Sequence, residues 1–236
     1  MPALDPSLVA HLPLFRAFSR EQLKDLLGGA TSRRYAKGSN VFEQDAPAHS
    51  FFVLLDGRLR VVKITPDGQQ VVVRYITPGE IFGIAMAIGR DSYPATATAV
   101  VDSVALAWPS PLWPQLVAKY PMLATSTMQT LGGRLQETQT RVVEMSTEEV
   151  ERRVAHALLR LAQQSGKKVE RGIEIDFPIS RQDIAEMTGT TLHTVSRILS
   201  AWEDRGLVEG GRQRIVLKDA HRLFMLAEGQ SGDRPG

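Results

Sequence analysis

Apolar and polar positions change their spacing several times along this chain. Near the start, Leu23, Leu26 and Leu27 fall on one face of a short helical pattern. Ser19 opens it, Gln22 stands at the capping-box position, and Gly28-Gly29 closes it. From about Arg33 to Ala107 the pattern becomes one of short apolar runs: FFVLL (51–55), LRVVKI (59–64) and VVVRYI (71–76). Turn signals separate them at Asp56-Gly57, Pro66-Asp67-Gly68 and Pro78-Gly79. This spacing predicts an antiparallel jelly-roll sandwich or barrel.

After a transition between Pro111 and Pro121 a long helical pattern begins. Met128, Leu131, Leu135, Thr138, Val142 and Met145 recur at alternating intervals of three and four. That is a heptad seam, and its narrowness predicts a coiled-coil dimer helix rather than a helix packed on its own domain. Ser146 and Glu149 read as a second capping box, which places a hinge there. A further helix carries Val150, Val154, Leu158 and Leu161 on one face and ends at Gly166.

Residues 180–205 carry the sharpest functional signal. Ile184, Ala185, Val195 and Ile198 stand where two short helices must pack, and Gly189 stands where the tight turn between them needs no β-carbon. Ser180 with Asp183 reads as an N-cap. This is a helix-turn-helix pattern. Thr190, Thr191, Leu192, His193, Ser196 and Arg197 are left for base edges and phosphates, with Arg181 and Arg212 as further DNA contacts. The competing reading is a surface helical hairpin with no DNA role. GLVEGGRQRIVLKD then reads as two strands around Gly210-Gly211, a β wing, and GQSGDRPG as a disordered tail.

Composition narrows the classes. The chain has 236 residues, 43% hydrophobic and 23% charged, which is ordinary for a globular protein. No apolar run approaches a membrane span, and the N-terminus lacks a secretory signal, so the expected location is cytoplasmic, with no membrane partner. Cysteine is absent, which excludes disulfides, a cysteine nucleophile and a cysteine-ligated iron–sulfur cluster. Net charge is +2, and within 178–218 six Arg or Lys stand against five Asp or Glu, a balance of +1. DNA affinity must therefore come from local placement, with Arg181, Arg197, Arg212 and Arg214 on one face and the acids turned away. No nucleophile–base pair, P-loop or metal triad is recognisable, so no enzyme is expected.

Domain order and motifs together resemble the Crp–Fnr family of bacterial transcription regulators. PGEIFG (78–83) and TVSRIL (194–199) are the strongest local matches, and the likeness runs from about Leu14 to Leu226. It implies an α+β protein: a jelly-roll, cyclic-nucleotide-binding-like sensor domain (1–120), a dimerisation helix (121–145), a winged helix-turn-helix (146–228) and a tail (229–236). It also implies a homodimer on a two-fold symmetric operator in double-stranded DNA, with RNA polymerase as protein partner. Arg197 falls where the family's arginine contacts a guanine. Ser196 falls where members carry serine or glycine. His193 replaces a glutamate that accepts from cytosine.

In the family's cyclic-nucleotide members a glutamate holds the ribose and an arginine the cyclic phosphate. Here those positions fall on Ile84 and Pro94, although Gly79, Glu80 and Gly83 match. Neither substitute can do that chemistry, and a buried phosphate without a partner is costly. Thr138 matches a residue that reaches the purine; Gln139 does not match. Cyclic AMP is therefore not the expected ligand. Gly83, Ile84, Ala85, Met86, Pro94 and Thr138 are the expected effector residues, with Ala87 and Ile88 extending an apolar pocket. Gly132-Gly133 reads either as a bend or close helix approach, or as room for a flat ligand. The cassette also resembles the nitric-oxide-responsive Dnr/NnrR branch, which implies haem, with His11 or His49 as the axial ligand. Two other readings remain: a regulatory module acting through a protein partner, and a cyclic-nucleotide-responsive regulator.

Overall fold

Eight strands and a capping helix build the first half of the chain in the computed structural model, which describes residues 5–230. The N-terminal helix α1 (Arg20–Gly28) begins at Ser19, whose hydroxyl accepts from the Gln22 amide at 3.2 Å while the Gln22 side chain accepts from the Ser19 amide at 2.8 Å. The strands are β1 (Thr31–Tyr35), β2 (Asn40–Phe42), β3 (Ser50–Asp56), β4 (Leu59–Ile64), β5 (Gln70–Ile76), β6 (Ile81–Phe82), β7 (Thr96–Ala99) and β8 (Ser103–Pro109). They form two four-stranded sheets, ordered β1-β8-β3-β6 and β2-β7-β4-β5. The expected jelly-roll is present.

The unbroken apolar run of β3 has a physical reason. Its side chains alternate between two cores. Phe52 and Leu54 face Phe82, Tyr93 and the small Ala105 and Ala107 between the sheets. Phe51 and Val53 face the opposite way, with Leu106 and Trp108, onto the α1 leucines. Phe51 stacks on Trp108 with ring centroids 5.4 Å apart, and the buried Trp108 Nε1 donates to the Leu26 carbonyl at 2.9 Å. A strand covered on both faces shows no polar alternation.

Short α2 (Trp113–Lys119) leads to α3 (Pro121–Thr147). On α3, Met128, Leu135, Val142 and Met145 are each at least half exposed, and Thr138 is exposed. Leu131 departs from the expected seam, because it packs against the sensor core. The capping box expected at Ser146 does not form. Ser146 Oγ donates back to the Val142 carbonyl at 2.8 Å, which keeps the residue helical, and α4 (Val150–Ser165) starts after Glu149 without a side-chain cap.

The later elements are β9 (Gly166–Val169), β10 (Gly172–Ile175), α5 (Arg181–Thr188), α6 (Leu192–Asp204), β11 (Val208–Gly211), β12 (Arg214–Leu217) and α7 (Ala220–Ala227). The wing is a four-stranded sheet, β11-β12-β10-β9, rather than a two-stranded hairpin. Its turn lies at Arg212-Gln213, with Gln213 at φ +56°, because Gly210 and Gly211 are already paired with Ile215 and Arg214. Of the expected tail, Gly229 and Gln230 close α7 by donating to Leu226 and Met225, and 231–236 lie outside the described residues. The chain divides into two compact units. The first takes Val73–Gln136 and what is described before Gln70; the second takes Gln70–Val72 and what is described from Glu137 on.

Trp108→Phe removes the donor to Leu26 and part of a fully buried ring. It should destabilise the sensor unit by about 1–3 kcal/mol, read by thermal unfolding of the full chain. A change under about 0.5 kcal/mol would show that the indole adds nothing net.

Candidate functional site

Two sites emerge, one in each unit. In the second, α5 is fixed by its cap: Ser180 Oγ accepts from the Asp183 amide at 3.1 Å, and Asp183 Oδ2 accepts from the Ser180 amide at 2.9 Å and its hydroxyl at 2.7 Å. Gly189 ends the helix at φ +63°. The left-handed backbone is what needs glycine there; a β-carbon would also meet the Met145 methyl at 2.7 Å, the end of a flexible side chain that can move aside. Thr191 then caps α6, its hydroxyl accepting from the Thr194 amide at 3.2 Å.

Val195, Ile198, Leu199 and Trp202 bury one face of α6, opposite the buried Ile184 and Ala185 of α5. Trp202 Nε1 donates to Glu151 of α4 at 2.8 Å and sets the rotation of the helix. The opposite face presents Leu192, His193 and Arg197, all exposed, with Ser196 half-buried. Ser200 shares this face three residues beyond Arg197 and was missed; the i, i+4, i+7 spacing from His193 was its signal. Thr190 is half-buried, its amide donating to Ala185.

The four arginines do not form one cationic face. Arg181 meets Glu203 at 3.1 Å. Arg214 makes two bonds to Glu174, at 2.8 and 2.9 Å, and lies 3.7 Å from Glu209. The acids turn toward these two residues, because they occupy neighbouring strands and helix faces. Arg197 and Arg212 are exposed with no carboxylate at ion-pair distance among the described residues. Behind the turn, α3 is tied to the same unit. Arg141 donates to the Met187 carbonyl at 2.8 Å, and Glu144 pairs with Arg160 of α4.

In the first unit a cavity of about 150 Å³ opens between the sheets and α3. Gly83, Ile84, Ala85 and Pro94 line it as expected, as does Ile88. Gly83 sits at φ +66°, where a β-carbon would come within 2.8 Å of Phe52. Met86 and Thr138 do not line the cavity; both are exposed. Gly132 and Gly133 are exposed too, with nothing within 4 Å of a β-carbon, so they make no room in this cavity.

Among the cavity residues that escaped the sequence reading, two are charged, Arg74 and Arg134. Arg74 alternates inward with the buried Val72 and Ile76 on β5, which period-two counting would have shown. Arg134 follows Leu131 by three on α3, on the same face. Glu80 accepts from Arg74 at 3.0 Å and from the Thr77 amide at 2.6 Å; Arg134 donates to the Ile81 carbonyl.

His11 and His49 are exposed and neither lines the cavity. No histidine or methionine stands among its lining residues, and the cavity is smaller than the roughly 300–1,000 Å³ of ordinary cofactor pockets. The lining of this cavity does not fit haem. Among the described residues no group of His, Asp and Glu could hold a metal ion, and no helix is long and apolar enough to cross a membrane.

Comparison with known proteins agrees with this two-part layout. The family described as a cyclic nucleotide-binding domain matches residues 32–120, and the Crp-like helix-turn-helix domain matches 152–226. The chain is similar to the cyclic AMP receptor protein of Thermus thermophilus, 29% identical over 92% of this chain and 97% of that protein. It is 28% identical to the nitrogen fixation regulation protein FixK of Azorhizobium caulinodans, over 81% of this chain and 77% of that one. The solved structure of FixK2 from Bradyrhizobium japonicum superposes with a TM-score of 0.73 at 26% identity, covering 84% of this chain and 96% of its own.

The bond from Arg214 holds the Glu174 carboxyl below the ordinary carboxylate range. Its stabilising effect is complete above that range and is lost as pH falls through the lowered value. Arg214→Ala should raise the Glu174 pKa, followed by NMR titration; an unmoved carboxyl would show that the pair is not formed in solution.

Proposed function

Because the chain belongs to the Crp–Fnr family of transcription regulators, a sensor domain followed by a Crp-like helix-turn-helix and not an enzyme, we propose that it works as a homodimer on two-fold symmetric operators. The carrying observation is α6, with one face locked by Val195, Leu199 and Trp202 and the other presenting His193, Arg197 and Ser200 to solvent. Laid in the major groove, that face offers a guanidinium fork for guanine, a ring nitrogen and a hydroxyl. Arg212 on the wing turn suits a phosphate, and Arg181 and Arg214 support the reader from within. The exposed Met128, Leu135, Val142 and Met145 supply the dimer seam. In this reading α3 carries the signal, since it lines the sensor cavity at Leu131 and Arg134 and is bound to the reading unit through Arg141 and Glu144. The working location is the cytoplasm, and RNA polymerase is the partner an activator would touch.

No residue in the cavity supports haem or nitric oxide as the signal. The second reading, a cyclic-nucleotide-responsive regulator, is favoured by the likeness to the Thermus thermophilus receptor. Ile84 and Pro94 oppose it. A module that controls a protein partner instead would show no salt-dependent duplex binding, because it would release no counterions.

Two outcomes are expected. With an operator selected from genomic fragments, Arg197→Ala should lose about 1–3 kcal/mol of specific affinity while the dimer mass is unchanged. Retained specificity would refute the groove assignment. Leu135→Glu places charge in the seam and should yield a monomer in sedimentation; a persisting dimer would place the interface elsewhere.

A further inference from the structure

His193 stands at the centre of the solvent face of α6. At about 100° per residue, His193, Arg197 and Ser200 fall within about 60° of one another around the helix, roughly opposite the stripe of Val195, Ile198, Leu199 and Trp202. Of the three, His193 points most directly away from that stripe, so it enters a groove deepest. It is also the second residue of the helix. In helix-turn-helix readers the first residues of the second helix are the ones that approach base edges. Arg197 follows one turn later, about 6 Å along the axis. That is close to two base-pair steps of about 3.4 Å. The two side chains therefore meet different base pairs.

The His193 ring is not engaged within the protein. Neither nitrogen bonds another group, and no carboxylate stands at ion-pair distance, among the described residues. What the ring can offer is asymmetric. Neutral or protonated, an imidazole carries at least one N–H, but it has an acceptor nitrogen only when neutral. Donation is thus open in either state. In the major groove a donor needs an acceptor. Guanine shows two side by side, N7 and O6, whereas cytosine shows only its N4 amino donor. Adenine sets an amino donor beside its N7, and thymine sets a methyl beside its O4. Guanine is the base whose whole facing edge accepts. A carboxylate at this place would make the reverse choice, accepting from cytosine.

We propose that His193 is a specificity-determining residue: its ring N–H donates to the N7 of a guanine within two base pairs of the guanine met by Arg197, and it discriminates against cytosine there. This rests on the groove reading above and names part of the operator that the groove reading leaves open. A phosphate contact is the competing role. It would strengthen binding to every sequence alike, and the central place of His193 on the reading face opposes it.

The test uses the full chain and an operator selected from a randomised duplex library. Affinities are measured by fluorescence anisotropy at one fixed salt concentration. Arg197→Ala first marks the base pair that Arg197 reads, and all four bases are then placed at each pair within two steps of it. At one such pair guanine should be bound about tenfold more tightly than cytosine. Replacing that guanine by 7-deazaguanine, which lacks N7, should remove most of the preference. His193→Ala should flatten the preference at that pair alone, be indifferent to 7-deazaguanine there, and leave the melting transition in place. His193→Glu should turn the preference toward cytosine. The proposal is overturned if cytosine is bound as well as guanine at every pair tested, if 7-deazaguanine is bound like guanine, if His193→Ala weakens all duplexes equally, or if His193→Glu keeps the guanine. Arg197-dependent specificity without a His193-dependent base pair removes this assignment and leaves the regulator standing. Failure to bind any duplex specifically removes both.

Discussion

The rotation of α6 about its own axis is set by what it buries. Trp202, with no exposed surface, leaves its indole nitrogen bonded to Glu151 on α4, and Val195 and Leu199 continue the same buried stripe. A helix turned by one residue would bring Ser196 or Ser200 inward and leave apolar surface in water, which at roughly 25 cal/mol per Å² is a heavy penalty. The outward residues are consequently not free choices. His193, Arg197 and Ser200 are what remains once the stripe is satisfied. The turn that presents the helix is fixed by its backbone, because Gly189 holds a left-handed conformation that favours glycine.

Electrostatics around this helix are local rather than global. A balance of +1 over 178–218 cannot attract a polyanion strongly. Pairing of Arg181 with Glu203 and of Arg214 with Glu174 reduces the exposed cationic surface further. Exposed pairs of this kind add little to stability. They hold the wing strands and the start of α5 in place, and they leave Arg197 and Arg212 as the accessible guanidinium groups named for DNA. A reader built this way gains less from bulk phosphate attraction and more from the fit of individual side chains to base edges.

Much of this was legible from local chemistry. The Ser19 and Ser180 caps, the turns at Gly57, Gly68 and Gly79, and the packed positions of the helix-turn-helix each follow from one residue type with one job. Failures occur where a residue answers to something distant in sequence. Ser146 has the right offset for a cap but bonds back into its own helix. β9 is short and rich in Gly and Lys, and it becomes a strand through pairing with β10, which in turn pairs with β12, rather than through an apolar pattern. Helix α7 went unread although Leu223 and Ala227 are buried at a spacing of four. Arg74 was hidden because a charged residue inside an apolar strand is first read as facing water. Its inward position depends on Glu80 from a turn six residues later.

The placement of these features along α3 constrains how a signal could travel. Leu131 and Arg134 meet the sensor cavity, Leu135 and Val142 face outward, and Arg141, Glu144 and Met145 engage the reading unit. Between the first and second groups nothing breaks the helix. Just before Arg134, Gly132 and Gly133 lower helix propensity by about 1 kcal/mol each relative to alanine. A β-carbon at either would meet nothing within 4 Å, although the flanking Leu131 and Arg134 are both anchored to the sensor unit. A ligand in the sensor cavity shifts the regulator only if it binds one curvature of α3 better than another. A difference of about 1.4 kcal/mol already changes the populations tenfold, comparable to the helix preference that the two glycines give up. The weakest stretch of the helix therefore lies between Leu131 and Arg134, the two α3 residues that line the sensor cavity.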